Sequence, residues 1–171
     1  MVNTMTEIQL RPYDSSTARD REALWDLKVA FETELGGTTE DERKAKRYDG
    51  KLTEEYKRRW LSWVDRCVED DERCLTLAAD DGGVGGYIFV LPERLGFIWD
   101  AAVVNELYVD TRWRGEGVAD ALLDAAIDLA TEQTLPLDRL LLDVSPENGR
   151  AYRFYERYGF EPWGEIVALE L

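Results

Sequence analysis

Apolar residues follow two rhythms along this chain, and the points where one gives way to the other mark its elements. Ile8 and Leu10 alternate with polar neighbours, which predicts a short strand over residues 7–13, ended by Pro12 and the Asp14-Ser15-Ser16 turn. Leu24, Leu27 and Phe31 recur at helical spacing and predict a helix over 18–35, with Gly36-Gly37 as its stop. Residues 38–50 are polar and charged, which predicts a mobile loop. A second helix is predicted from Thr53, with Tyr56, Trp60, Trp63, Val64 and Cys67 on one side. Two strands, 74–79 and 84–91, are joined by Asp80-Asp81-Gly82-Gly83, a hairpin signal, and another strand is predicted over 101–109. A glycine turn and a helix to Gln133 come next, then a strand over 139–144, a short helix over 148–158 and a last strand over 160–169.

The predicted order is β-α-α-β-β-β-α-β-α-β, with no repeat, linker or low-complexity stretch, so residues 1–171 read as one domain. Consecutive hairpin strands followed by strand–helix–strand imply an α/β (α+β) fold, a mixed sheet with helices packed on it.

Charge narrows the class of partner. Thirty-six Asp and Glu against 21 Lys and Arg give a formal net charge of −15, which argues against nucleic acid as a partner. No apolar run approaches 18 residues and the first dozen residues lack the apolar core of a signal peptide, so neither a membrane span nor export is expected. The cysteines, Cys67 and Cys74, fit a reduced cytoplasmic protein; their spacing is no metal motif, and the chain has no histidine. A structural zinc site and Ser-His-Asp or Cys-His chemistry are thereby excluded. Glu116, Asp120, Asp124, Asp128 and Glu132 recur every fourth residue and stack five carboxylates on one helix face. Each such pair costs a helix about 0.2–0.5 kcal/mol in ordinary buffer, a penalty that fades in molar salt, where the Debye length is about 3 Å. This ladder points to a halophilic host, with a well-solvated acidic face as the alternative.

The segment 107–119, LYVDTRWRGEGVA, carries the candidate chemistry. An apolar run (Leu107, Tyr108, Val109) meets a turn bracketed by Arg112 and Arg114 with Gly115 and Gly117, and a helical pattern starts at once behind it. Glycines bare the backbone N–H groups and a helix N-terminus adds the positive end of its dipole, a combination that suits an anion. Alone, a GxG here is equally a tight turn capped by glycine. The chain has no GxxxxGK[ST], and the third glycine of a dinucleotide GxGxxG is missing.

Arg114-Gly115-Glu116-Gly117-Val118-Ala119 fits (Q/R)xxGx(G/A) and, preceded by LYV, resembles motif A of the GCN5-related N-acetyltransferase (GNAT) family. A second block, Asn148-Gly149-Arg150-Ala151-Tyr152-Arg153-Phe154-Tyr155 through Gly159-Phe160, resembles the family segment NxxAxxxYexxGF. Thr111 stands where the family commonly has proline. The resemblance spans the chain, densest over 101–160 and loose over 14–75. It implies a mostly antiparallel central sheet of six to seven strands flanked by about four helices, and acetyl-coenzyme A as cosubstrate. The implied activity is acetyl transfer to a primary amine of a small molecule or a peptide, by a protein that is commonly a homodimer.

The resemblance also assigns roles. Leu107, Tyr108 and Val109 would bind the cofactor, the main chain of Leu107 and Val109 pairing with the pantetheine arm and the Leu107 N–H polarising the acetyl carbonyl. Arg114, Gly115, Glu116, Gly117, Val118 and Ala119 would hold the pyrophosphate, Asn148 would touch the arm, and Arg112 would meet a phosphate or simply stand exposed beside Trp113. Tyr155 corresponds to the tyrosine that protonates the departing thiolate; it equally fits an aromatic cluster with Tyr152, Phe154 and Tyr158. Without histidine, the group that takes the amine proton is a carboxylate, a water chain or something else. Glu106 is the candidate base, acting through water; it could instead attract a cationic substrate. The amine pocket would come from residues 24–66, with Trp25, Phe31, Tyr48, Tyr56, Trp60 and Trp63 serving as core or as substrate box. A coenzyme A-binding module without catalysis is the alternative function.

Overall fold

The computed structural model describes residues 7–38 and 41–171, leaving 1–6, 39–40 and the Thr38 and Tyr48 side chains outside the description. Five strands, β1 (Gln9–Pro12), β2 (Leu75–Asp80), β3 (Gly83–Val90), β4 (Ala102–Val109) and β5 (Leu140–Leu142), form one sheet in sequence order. The first four pair antiparallel, and β5 joins β4 in parallel. Six helices are described: α1 (Ala18–Thr38), α2 (Glu42–Gly50), α3 (Glu54–Asp70), the single turn α4 (Glu93–Gly96), α5 (Val118–Glu132) and α6 (Gly149–Arg157).

Alternation sorts the strands between two cores. Tyr87, Phe89 and Val103 point to one face, where Leu24 and Leu27 of α1 and Trp60, Leu61 and Val64 of α3 cover them. Ile88, Val90 and Val104 point to the other, against Leu122, Leu123, Ala126 and Leu129 of α5. A sheet covered on both faces reads as nearly continuous apolar runs, as 84–91 and 101–104 do. Local signals close the ends. The Thr17 hydroxyl accepts from the Asp20 N–H at 3.2 Å, Thr53 caps α3 through the Tyr56 N–H at 3.1 Å, and Asp80 Oδ1 accepts from Gly82 and Gly83 in the hairpin turn.

Four expectations need correction. The helix predicted to stop at Gly36-Gly37 runs through both to Thr38; glycine lowers helix propensity by about 1 kcal/mol but keeps its N–H, so it weakens a helix where proline would break it. The expected loop 38–50 holds α2, started by Asp41, whose carboxylate accepts from the N–H groups of Arg43 and Lys44. The helices thus number six rather than about four. The expected last strand over 160–169 does not form: Pro162 offers no N–H, Gly164 packs nothing, and the sheet stops at five strands, not six to seven.

Two irregularities in β4 shape its surroundings. Phe89 pairs with Glu106 while Val90 pairs with Val104, so Asn105 is an extra residue, a bulge that turns Glu106 toward the α1 face and Leu107 toward α5 and α6. The ladder to β5 covers only Ala102–Val104; from Asn105 to Val109 the two strands have parted.

Candidate functional site

The parting of β4 and β5 opens a cleft of about 540 Å³. One wall is the bared edge of β4 at Leu107, Tyr108 and Val109, the other is α6 with Asn148, Ala151, Phe154 and Tyr155, and the floor is the glycine turn with the start of α5. Phe31, Glu34 and Leu35 of α1 complete the mouth.

The turn is built for exposed backbone. Asp110 donates its N–H to the Gly85 carbonyl at 2.7 Å and accepts from the Arg112 N–H at 3.1 Å, starting the short 3₁₀ turn Thr111–Trp113. Buried Trp113 anchors that turn beneath the cleft. Gly115 and Gly117 then take φ of +82° and +79°, values that side chains with a Cβ rarely adopt, and a Cβ added at either would project into open space. Gly117 caps α5 with no side-chain acceptor, so the first N–H groups of this 15-residue helix are left for an anion.

Of the residues singled out in the sequence, Leu107, Tyr108, Val109, Arg114, Gly115, Gly117, Val118, Ala119, Asn148 and Tyr155 line this one cleft. Arg112 does not: it lies over the Trp113 ring at 5.4 Å and faces Asp110. Glu116 is exposed in the turn and lies outside the lining too. Asn148 caps α6, its Oδ1 accepting from the Ala151 N–H at 3.3 Å. Tyr155 belongs both to the cleft and to an aromatic cluster, 5.3 Å from Phe154 and 5.5 Å from Phe160 between ring centres. Burial pushes its phenol up to about 12, so it keeps its proton through the physiological range.

Glu106 sits behind the cleft wall, 6% exposed. Its Oε1 accepts from the Tyr87 hydroxyl at 2.7 Å; its Oε2 accepts from the Asn105 amide at 3.0 Å and faces the Lys28 ammonium, also at 3.0 Å. Lys28 also bonds Glu32 at 2.6 Å and lies over the rings of Trp60 and Phe31. Through Lys28 and Phe31 this ionic cluster reaches the cleft lining. Burial acts against the Lys28 ammonium, but Glu106 and Glu32 outweigh it and raise its pKa. Lys28, Glu32 and Tyr87 carried no signal in the sequence, because they meet Glu106 only through tertiary packing.

Of the aromatics proposed for the amine pocket, Phe31 alone reaches this cleft among the described side chains, edge-on to Tyr108 at 6.2 Å. Trp25 packs on Tyr56 and Trp60, and Trp63 packs on Phe89; Trp25 and Trp60 are buried in the core, while Tyr56 and Trp63 are half-buried against it and, with Trp60, line a separate surface pocket. The Tyr48 side chain lies outside the description. Both cysteines are free and buried, their thiols pushed up by burial to about 11 at Cys67 and about 12 at Cys74, which leaves no thiolate nucleophile.

A parted parallel strand pair, a glycine turn opening a helix and a tyrosine on the opposite wall thus frame one cleft. The acetyltransferase (GNAT) family model matches residues 36–160, and the chain belongs to that family. Over 102 residues it is 30% identical to an L-amino acid N-acetyltransferase of Escherichia coli K12, a match covering 58% of this chain and 60% of that protein. It is 28% identical over 120 residues to a spermine/spermidine N(1)-acetyltransferase of Bacillus subtilis 168, covering 62% and 76%. The PaiA N-acetyltransferase of Thermoplasma acidophilum, solved with coenzyme A, shares the fold with a TM-score of 0.68 at 18% identity, covering 91% of this chain and 90% of that one. Acetyl-coenzyme A is the family's cosubstrate. The open N–H groups at Gly115 and Gly117 suit its pyrophosphate, and the free edge of β4 suits the amides of its pantetheine arm.

Proposed function

We propose that the chain acts as one N-acetyltransferase domain, moving an acetyl group from acetyl-coenzyme A to a primary amine. The observation that carries the reading is the bared edge of β4 facing Tyr155 across the cleft that ends at the glycine turn. When bound, the coenzyme supplies the acetyl group as a thioester. Main chain of Leu107 and Val109 holds the arm with Tyr108 between them, and the Leu107 N–H polarises the carbonyl. Arg114, Gly115, Gly117, Val118 and Ala119 hold the pyrophosphate, and Asn148 steadies the arm from α6. The amine nitrogen attacks the carbonyl carbon, the C–S bond breaks, and the Tyr155 phenol gives its proton to the sulfur. Glu106 takes the proton released from nitrogen, through water, because its carboxylate stands behind the wall.

The acceptor is a small-molecule amine such as an amino acid or a polyamine, or a peptide amine; the chain works in a reduced, salt-rich cytoplasm and pairs as a homodimer. A panel of these amines mixed with acetyl-coenzyme A in a thiol-release assay, with solution mass measured alongside, tests the set. Tyr155→Phe should lower kcat by about 10²-fold with coenzyme affinity intact, and an unchanged kcat would remove Tyr155 from the acid role. The burial of Glu106, bonded at both oxygens, favours one second reading: a coenzyme sensor, which would bind coenzyme A and acetylate no amine in the panel.

A further inference from the structure

Two arginines flank the mouth of the cleft, and both are already paired. Arg114, from the turn before α5, places Nη2 2.6 Å from Glu34 Oε2. Arg150, in the first turn of α6, places Nη2 2.7 Å from Glu34 Oε1. One carboxylate of α1 thus bridges the two elements that bear the glycine turn and Tyr155, with one guanidinium on each oxygen. Arg114 is further fixed by Nε on the Val109 carbonyl at 2.9 Å and by the face of Tyr108. All three charged side chains line the same cleft as Gly115 and Gly117.

Two guanidinium groups converging on one pair of oxygens make the donor array that a phosphate accepts, with one positive charge in excess of what a single carboxylate supplies. We propose that Arg114 and Arg150 form a phosphate fork for the coenzyme, and that Glu34 occupies it as an internal anion which the coenzyme must displace. The proposal rests on the coenzyme reading above and adds to it a new ligand, Arg150, and an opposing residue, Glu34. Glu34 is one-third exposed and contributes to neither hydrophobic core, so its release disturbs the mouth and not the fold. Asp120, also in the lining, holds Arg157 at 2.8 Å in the same manner, so the cleft's cations are held by the protein's own acids on both sides.

A structural role for Glu34, orienting the two arginines, predicts the opposite sign, and calorimetric titration separates the two. Coenzyme A and 3′-dephospho-coenzyme A are titrated into the full chain, Glu34→Gln, Arg150→Gln and the double variant at one salt concentration. Glu34→Gln should tighten coenzyme A about tenfold, the worth of two partly exposed ion pairs no longer broken on binding. Arg150→Gln should weaken it, and Glu34→Gln should gain less when Arg150 is absent. If the gain vanishes with the dephospho form, the fork takes the 3′-phosphate; if it persists, the fork takes the pyrophosphate. Unchanged or weaker binding by Glu34→Gln, in a chain whose parent binds, overturns the clasp alone. No binding by parent or variant overturns the coenzyme reading itself.

Discussion

Lys28 shows how a charge is kept inside this protein. It is 3% exposed, and its ammonium is held by Glu32 and Glu106 with Trp60 and Phe31 around it. Because its pKa is raised above that of the unfolded chain, its contribution is complete below the ordinary lysine range and is lost as pH rises through the higher folded value. Lys28→Met leaves Glu106 buried without its cation, at a cost of about 3–5 kcal/mol at neutral pH. Urea titration at neutral pH checks this, and an unchanged stability would mean that the cation is not needed there. Tyr155 has a different signature. With its phenol at about 12, it adds no falling limb to a kcat profile between pH 7 and 10, so any limb seen there belongs to another group.

Between residues and fold stand the turns and bulges that aim the side chains. Asn105 is the clearest case: were it an ordinary ladder residue, Glu106 would face the apolar α5 side and Leu107 the ionic cluster. Nothing in VVNELYV marks it, because a bulge is defined by the partner strand and alternation alone is read within one strand. Gly85 is the counterpart on β3. A Cβ there would meet the Trp113 ring at 2.5–2.7 Å, so Gly85→Ala forces Trp113 off its seat beneath the glycine turn. It should cost about 1–3 kcal/mol in denaturant unfolding and loosen coenzyme binding with it. Legibility tracked locality. The helix behind the glycine turn, the Asp80–Gly83 hairpin and the start at Thr53 each carry their signal within a few residues. The overrun of α1, the placement of α2 and the missing last strand depend on packing that adjacent residues do not encode. At the site, the residues of the two motifs could be read, whereas Glu34, Lys28 and Tyr87 reach it from distant segments.

Seen whole, the molecule carries a formal net charge of −15. The acid ladder is tied down in part: Asp120 by Arg157, Asp120 and Asp124 by the Tyr158 hydroxyl, and Glu132 by Arg73. Asp128 meets no cation among the described residues. These ties offset the local repulsion that the bare spacing implies and leave the long-range field of the excess acids. Molar potassium chloride should therefore raise stability by about 1 kcal/mol, or 2–4 °C in melting temperature, and a flat response would remove the case for a salt-rich host. The parting of β4 and β5 has a consequence on the same scale. Three ladder pairs hold that seam, and an arm laid along the bared edge would splice it. A ligand that binds only the folded chain adds about 2.7 kcal/mol at a hundredfold excess over its Kd. If the proposed function holds, resistance to a protease should then rise and fall with the acyl-donor supply, making the protein's persistence a gauge of that metabolite.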